Sequence, residues 1–360
     1  MLDFIPYYTF YLLVYLSLNT SKRSKNIMAV NLILIIFSAC RFNVGHDYPS
    51  YFNSVLDPYN SDWLRFEFIP KTLVTIAHYF NSPFIFFLLT STIINSIILK
   101  TIKQYSPYIY ISIISYVCLP FFYIENLCIV RQAIAIAFVF WGACNYIYDY
   151  NYKKFILAII LAYLSHSSSI LSILLFFPYN KIKWKYHLFL LIACIFLGAS
   201  LQTYLFNIDL SVIFGNDYYS SYFQEQDGTD GGKMTLVYAV FAFINIFTMK
   251  QLSTDTNTAY YKCMSIVKAG FCILFVLNFN PMLSFRLSRY FTILLLMTIP
   301  YYRYMLKIRF NYRSIVTICF FILFSLQLII SKRAYDGGKG SKSYVPYQFY
   351  FFENTNVQIK

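Results

Sequence analysis

The stretch SIVTICFFILFSLQLII, residues 314–330, contains no charged side chain and is close to the length that a helix needs to cross a bilayer. Comparable apolar runs of roughly 15 to 24 residues recur along the chain, separated by short clusters of Lys and Arg. Hydrophobic residues make up 59% of the chain and charged residues 12%, a composition far from that of a soluble domain. Because backbone groups in lipid must be hydrogen-bonded within their own segment, the runs predict helices. We therefore predict an all-α polytopic membrane protein.

The net charge of +14 comes largely from Lys and Arg residues in short loops between the apolar runs. Such clusters mark the cytoplasmic ends of spans, so the charge indicates orientation and not a nucleic-acid partner. Threading the chain under this rule predicts about 11–12 membrane segments in the cytoplasmic membrane, with the amino terminus and a cavity open to the outer face. Two segments, 66–81 and 155–180, do not fit as complete crossings and predict short re-entrant helices, the second turning around Ser165–Ser169.

The same threading predicts a single integral membrane domain over residues 1–331. Its outer loops cover about 41–66 and 207–233, and a polar and aromatic tail follows over 332–360. The first apolar run lacks a basic region before it, which favours a retained span over a cleaved signal peptide. The eight cysteines have no ligand-like spacing, which argues against a disulfide framework or a zinc site. The sequence has no DxD-like triad and no nucleotide-binding glycine loop, so no metal or other cofactor is expected.

Ionisable residues placed on the outer side are the candidate functional residues, because basic residues on that face have no role in orientation. Arginine presents a planar fork that binds phosphate in a bidentate manner and keeps its charge. Several arginines at span ends, beside carboxylates and a histidine, therefore favour a pocket for a phosphate- or diphosphate-bearing ligand linked to lipid. The set consists of Arg41, Asp47, Glu67, Glu125, Arg131, His166, Arg286 and Arg289.

The order of short motifs along the chain resembles the EpsG family. The motifs are Arg41 followed by Gly45-His46-Asp47-Tyr48 and Tyr51, then Glu67, Arg131-Gln132-Ala133, Leu161–Ser168, and Arg286 followed by Arg289-Tyr290-Phe291. The likeness covers roughly residues 41–291, and His46 departs from the small residue expected between Gly45 and Asp47. The resemblance implies a Wzy-type polymerase of exopolysaccharide or O-antigen that acts outside the cytoplasm. Its substrates would be undecaprenyl-diphosphate-linked oligosaccharides, and its other partners would be membrane lipid and a chain-length regulator.

Such a polymerase transfers a growing glycan from its lipid diphosphate to a hydroxyl of an incoming lipid-linked repeat. The reaction needs a general base for the hydroxyl and positive charge for the departing diphosphate. His166, Asp47 and Glu67 are the candidate bases. The candidate diphosphate ligands are Arg41, Arg131, Arg286 and Arg289, and Tyr48 and Tyr51 are candidates to stack on sugar rings.

Each candidate also has a structural interpretation. Asp47 and Arg41 are a candidate salt bridge, Glu67 would complement a helix dipole, and His166 would cap a helix break. Two other functional classes stay open at this point. A flippase or other transporter of lipid-linked oligosaccharides would more often show inverted repeats and charges toward both faces. A membrane acyltransferase acting on polysaccharide would also use a histidine.

Overall fold

The computed structural model describes residues 2–19, 23–205, 231–252, 256–305, 311–336 and 344–352. These residues are almost entirely helical, which confirms the predicted all-α class. The chain forms two compact units. The first consists of Met1–Ile170 with Arg309–Lys360, and the second of Leu171–Ile308.

The helices of the first unit from Ile5 to Ser165 range from 4 to 23 residues in length. They are α1 (Ile5–Asn19), α2 (Arg23–Ala39), α3 (Tyr48–Leu56), α4 (Ser61–Leu64), α5 (Phe68–Tyr79), α6 (Pro83–Tyr105), α7 (Ile109–Cys118), α8 (Val130–Asp149) and α9 (Tyr152–Ser165). Short 3₁₀-helices cover Leu2–Phe4 and Glu125–Leu127, and a third, Ser167–Phe176, begins in the first unit and continues past Ile170 into the second.

The second unit is built from α10 (Trp184–Leu205), α11 (Gly231–Gln251), α12 (Ala259–Val276), α13 (Pro281–Thr292), α14 (Leu295–Thr298) and α15 (Tyr302–Met305). Two 3₁₀-helices belong to it as well, Tyr179–Lys181 and Ile299–Tyr301. The chain then returns to the first unit through α16 (Tyr312–Asp336), and a 3₁₀-helix covers Tyr350–Phe352.

Five helices in the described part of the chain are long and apolar enough to cross a membrane: α6, α8, α10, α12 and α16. A sixth crossing results if the pair Met282–Thr292 and Leu295–Tyr304, bent by 44°, counts as one broken span. Four further apolar helices in the same described residues are shorter, at 10–17 residues. The chain is therefore a multi-pass membrane protein, as its composition predicts.

The two segments that the threading could not accommodate as full crossings do contain short helices. Helix α5 has 12 residues, so it extends about 18 Å at 1.5 Å per residue, well short of a hydrocarbon core of about 30 Å. Helix α9 has 14 residues and ends at Ser165, and a 3₁₀-helix begins at Ser167. His166 lies at that break, in extended backbone conformation.

One helix begins earlier than the sequence predicts. The apolar run suggests a span over about 290–306, whereas α13 begins at Pro281. Asn280 caps this helix, because its side chain accepts a hydrogen bond from the backbone N–H of Leu283 at 2.9 Å, and proline suits the first helical position. Arg286 and Arg289 consequently lie within this helix, ahead of the apolar run.

Helices α8 and α9 form a closely packed hairpin that sets up the functional site. Tyr150 ends α8 in the left-handed conformation (φ 53°), and α9 starts two residues later. At the contact, a Cβ on Gly142 would lie only 2.4 Å from the Cβ of Ala158. Small residues at such a crossing let two helix backbones approach in a membrane protein. The hairpin brings the first turn of α8 and the end of α9 to one region of the unit.

A two-stranded antiparallel sheet joins the two sequence segments of the first unit, and it was not predicted from the sequence. Strand β1 (Arg41–Phe42) pairs with strand β2 (Gln348–Phe349), which lies in the region predicted to be a polar and aromatic tail. The backbone N–H of Tyr350 donates to the carbonyl of Cys40 at 2.9 Å. The hydroxyl of Tyr347 donates to the carbonyl of Phe37 at 2.5 Å, and its ring stacks on Phe37 with centroids 4.4 Å apart.

This sheet predicts that the carboxyl-terminal segment stabilises the first unit. A stop codon in place of Tyr344 removes β2 and the buried Tyr347 ring, and each lost aromatic pair is worth about 0.5–1.5 kcal/mol. We expect the truncated protein to melt several degrees lower in detergent, measured by fluorescence-detected gel filtration after heating. A stop codon in place of Glu353 is the matched control, since it keeps Tyr344–Phe352, and it should melt like the full chain. Equal melting temperatures for both truncations would contradict this role.

Candidate active site

Glu67 is the centre of the candidate site. One carboxylate oxygen, Oε2, lies 3.0 Å from Nη1 of Arg131. The other, Oε1, lies 3.0 Å from Nδ1 of His166 and accepts a 3.0 Å hydrogen bond from the backbone N–H of Ser167. The three side chains of the cluster are 16% to 24% exposed. The site is therefore partly open to solvent.

Three helix ends place these side chains together. Glu67 occupies the position before α5, where its own side chain makes no capping bond and is free to reach outward. Arg131 is the second residue of α8, and His166 follows the last residue of α9. Because α8 and α9 pack as a hairpin, their polar ends converge on Glu67. The ion pair and the hydrogen bond thus fasten α5 to both helices.

The guanidinium of Arg131 is held by contacts other than the ion pair. It lies over the ring of Phe66, with its central carbon 4.9 Å from the ring centroid, and Nη1 also donates to the carbonyl of Arg65 at 3.4 Å. The backbone N–H of Arg131 donates to the hydroxyl of Tyr51 at 3.4 Å. Nη1 is used by the bonds to Glu67 and to the carbonyl of Arg65. The guanidinium has further N–H groups that can bind an anion.

Burial alone would raise the pKa of Glu67. The hydrogen bond from His166, the charge of Arg131 and the N–H of Ser167 outweigh burial and lower that pKa to about 2. Glu67 is therefore a carboxylate at neutral pH, and a carboxylate can only accept hydrogen bonds. Nδ1 of His166 must carry the proton that it shares with Glu67. In the neutral imidazole this leaves the lone pair on Nε2, which is the arrangement a general base requires.

The lowered pKa of Glu67 predicts a pH-dependent contribution to stability. A carboxyl group with a folded pKa of about 2 and an ordinary value of 4.5 stabilises the fold fully above pH 4.5. That contribution is lost as pH falls from 4.5 toward 2. We expect wild-type protein to melt above Glu67→Gln near pH 6 and the difference to shrink by about pH 3. Melting curves of both proteins across this range test the prediction, and a difference independent of pH would contradict it.

The Arg41–Tyr51 segment supports the turn from which Arg131 emerges. The guanidinium of Arg41 is 1% exposed and bonds to the carbonyl and hydroxyl of Ser38 and, at 3.3 Å, to the carbonyl of Leu127. It also lies 4.4 Å from the ring centroid of Phe87. Its predicted contact with a diphosphate stays a prediction, since the position observed is internal to the protein.

Gly45 shows how closely this segment packs on the turn. Its φ is +99°, a left-handed conformation that favours glycine, and an added Cβ would lie 2.6 Å from the carbonyl oxygen of Leu127. The next N–H, that of His46, meets the sulfur of Cys128 at 3.3 Å. The close approach leaves no space for a side chain at position 45.

We therefore expect Gly45→Ala to destabilise the first unit by about 1–3 kcal/mol, because backbone strain and a steric clash act at the same position. The measurement is the melting temperature in detergent together with the yield of folded protein. His46→Ala is the matched control, since the side chain of His46 is exposed and should be replaceable at little cost. A Gly45→Ala protein as stable as His46→Ala would show that the turn can shift to accept a methyl group.

The sequence matches the EpsG family over residues 26–349, which is most of its length. The chain belongs to the EpsG family. No curated protein and no solved structure shows a significant match. Membership in the EpsG family indicates a membrane protein of the polysaccharide-polymerase type and confirms the resemblance seen in the sequence motifs. The Glu67 cluster combines residues from three of those motifs.

Other candidate residues of this EpsG-family chain occupy different environments in the first unit. Asp47 is partly exposed at the position before α3, and the guanidinium of Arg41 is bonded to Ser38 and Leu127 rather than to Asp47. Tyr48 and Tyr51 are buried, with rings stacked on Phe87 and Phe86 at centroid distances of 4.5 and 5.3 Å. Stacking of either ring on a sugar stays a prediction and would require these pairs to separate.

The remaining arginines of the EpsG motifs lie in the second unit. Arg286 is partly exposed, Arg289 is buried, and both belong to α13. A Cβ on Gly270 of α12 would meet the Cβ of Phe291 at 2.7 Å, so α13 packs tightly on α12 beside Arg289. Contact of Arg286 and Arg289 with a diphosphate stays a prediction. The acidic loop that contains Asp209 to Asp230 lies outside the described residues.

One buried charge in this EpsG-family chain was missed by the sequence reasoning. Lys268 is 4% exposed inside α12, where its ammonium lies near the thiol of Cys272 and the buried ring of His187. An ionisable residue within a membrane span is a functional candidate by default. The signal was present, since Lys268 interrupts an apolar run, but the threading treated that run only as a span.

Proposed function

We propose that this chain polymerises oligosaccharide repeats linked to a polyprenyl diphosphate such as undecaprenyl diphosphate. The reaction would take place at the outer face of the cytoplasmic membrane and yield a surface polysaccharide. A hydroxyl of the incoming repeat forms a bond to the anomeric carbon of the growing chain. The bond from that carbon to the diphosphate breaks, and the lipid diphosphate leaves. Membership in the EpsG family and the Glu67 cluster support this proposal.

His166 is the proposed general base. Its Nδ1 donates to a carboxylate, so Nε2 is available to take the proton from the attacking hydroxyl. Glu67 is the proposed positioning residue, since a group with a pKa of about 2 is a weak base at neutral pH but holds the imidazole in one tautomer and stabilises the imidazolium. Of the three candidate bases in the sequence, His166 therefore has the strongest support.

Arg131 is the proposed ligand of the departing diphosphate. Its guanidinium is partly exposed and adjoins the pair of Glu67 and His166, and charged hydrogen bonds to phosphate oxygens are among the strongest that proteins make. Positive charge at the leaving group stabilises the transition state of the transfer. The contact of Arg131 with Glu67 also fixes the direction of the fork before substrate binds.

A membrane acyltransferase is the second candidate, because a histidine oriented by a carboxylate would serve acyl transfer to a sugar hydroxyl equally well. The two candidates differ in product. Glycan chain length in cells separates them. A deletion strain is expected to make surface glycan with one repeat unit, and wild-type protein restores long chains. Long chains that lack only an acyl group would favour the acyltransferase, and lipid-linked repeats that accumulate in the cytoplasmic leaflet would favour a flippase.

A further inference from the structure

Helix α5 presents an exposed apolar face that none of the proposed chemistry uses. Its opposite face, formed by Pro70, Leu73, Val74 and Ala77, is buried in the first unit. On its exposed side lies a shallow, open groove of about 580 Å³. The groove is lined by Phe68, Lys71, Thr72, Ile76, Tyr79 and Phe80, together with Thr75.

The groove begins at Phe68, the residue that follows Glu67. Glu67 is the residue before α5, and the backbone N–H of Lys71 donates to its carbonyl at 3.0 Å, so Lys71 lies one turn beyond the site. Lys71 is the charged residue among those lining the groove, and its ammonium lies 4.9 Å from the ring centroid of Trp63. The groove thus has a cation near the active-site end and aromatic and aliphatic side chains along the rest.

The threonines do not make the groove polar. The hydroxyl of Thr72 donates to the carbonyl of Phe68 at 2.9 Å, and that of Thr75 donates to the carbonyl of Lys71 at 3.0 Å. Both hydroxyls are therefore used within the helix. Beyond Lys71 the surface offers an apolar ligand mainly methyl groups and rings, including Ile76 and Tyr79, which are 40% and 85% exposed.

We infer that this α5 groove binds the isoprenoid chain of a polyprenyl diphosphate, with Lys71 contacting the diphosphate. The inference rests on the proposed function and identifies which part of the chain would hold the lipid of its substrate. A ligand with an anionic head and a long apolar tail matches the charge at one end of the groove and the apolar lining along the rest. Because Lys71 lies one helical turn beyond Glu67, a head group bound there would lie toward the proposed base.

Protection of a single cysteine tests this binding directly. The full-length protein carries Thr75→Cys, and reaction of residue 75 with a maleimide is followed by mass spectrometry of its peptide. The probe is a short polyprenyl diphosphate without sugar. We expect saturating probe to slow labelling at position 75 by about tenfold or more, and Lys71→Ala in the same protein to raise the concentration required by about tenfold. Ile322→Cys on α16, whose native side chain is 50% exposed, is the control and should label at an unchanged rate.

Two results would overturn the inference. One is an unprotected residue 75. The other is equal protection by the matching polyprenol or by phosphatidylglycerol vesicles, which would make the groove an ordinary lipid-facing surface. Because the probe has no sugar, the assay does not depend on polymerisation. Protection by the diphosphate in a protein that forms no polymer would contradict the proposed function alone, and polymer formation without protection would contradict the groove alone.

Discussion

Replacing His166 with Asn is expected to slow polymer formation by about 10²–10⁴-fold, the usual contribution of a general base. Asn can still accept or donate a hydrogen bond near Glu67, so the fold should persist while the base is lost. The measurement is the rate of chain extension by purified protein, with the melting temperature as a check on folding.

His46→Asn is the matched control, because it makes the same substitution at a histidine whose side chain is exposed and lies outside the Glu67 cluster. It should leave the rate within about twofold of wild type. A His166→Asn protein that extends chains at the wild-type rate would assign the base to another residue, with Asp47 as the next candidate. A variant that fails only because it unfolds would instead support the interpretation of His166 as a cap at the helix break.

Arg131→Lys should cause the second large loss, on the order of 10²-fold in the rate of extension. Lysine keeps the positive charge but cannot form the fork that bonds Glu67 and an anion together. Because the ammonium makes one point contact in place of the fork, Glu67 is held less firmly and His166 is also less firmly oriented. Rate and KM for the lipid-linked donor are the quantities to measure, and both should worsen.

The control for Arg131 is Arg65→Ala. Arg65 contributes its backbone carbonyl to Arg131, and that carbonyl survives the substitution, so the activity should stay near wild type. Arg131→Lys with normal kinetics would remove this residue from the proposed diphosphate site. A normal rate with a much lower melting temperature would limit Arg131 to the structural ion pair.

Much of the fold could be predicted from the sequence, because apolar length and basic loops carry the physics of membrane insertion. The run at 314–330 predicts α16, and the spacing of basic clusters predicts that 66–81 and 155–180 contain only short helices. The prediction of ionisable residues on one side of the membrane singled out Glu67, Arg131 and His166 individually. Ionisable residues at the ends of apolar spans are functional candidates that the sequence alone identifies.

The contact between Glu67 and His166 could not be predicted from the sequence. Glu67 and His166 are 99 residues apart, and their contact depends on how α5 docks on the hairpin of α8 and α9. The scaffold role of Arg41 depends on a carbonyl of Leu127 and on strand pairing with Phe349, which no local pattern encodes. Local hydropathy sets which segments are helices, whereas long-range packing sets which helix ends meet.

The most direct measurement is glycan chain length after purified protein, reconstituted in liposomes, is supplied with a synthetic lipid-diphosphate-linked repeat. We expect a ladder of glycan products whose lengths are multiples of the repeat, with release of lipid diphosphate in proportion to the glycosidic bonds formed. His166→Asn should yield no ladder under the same conditions. Recovery of only single repeats after incubation with wild-type protein, whether or not they have crossed the membrane, would contradict the proposed polymerase activity.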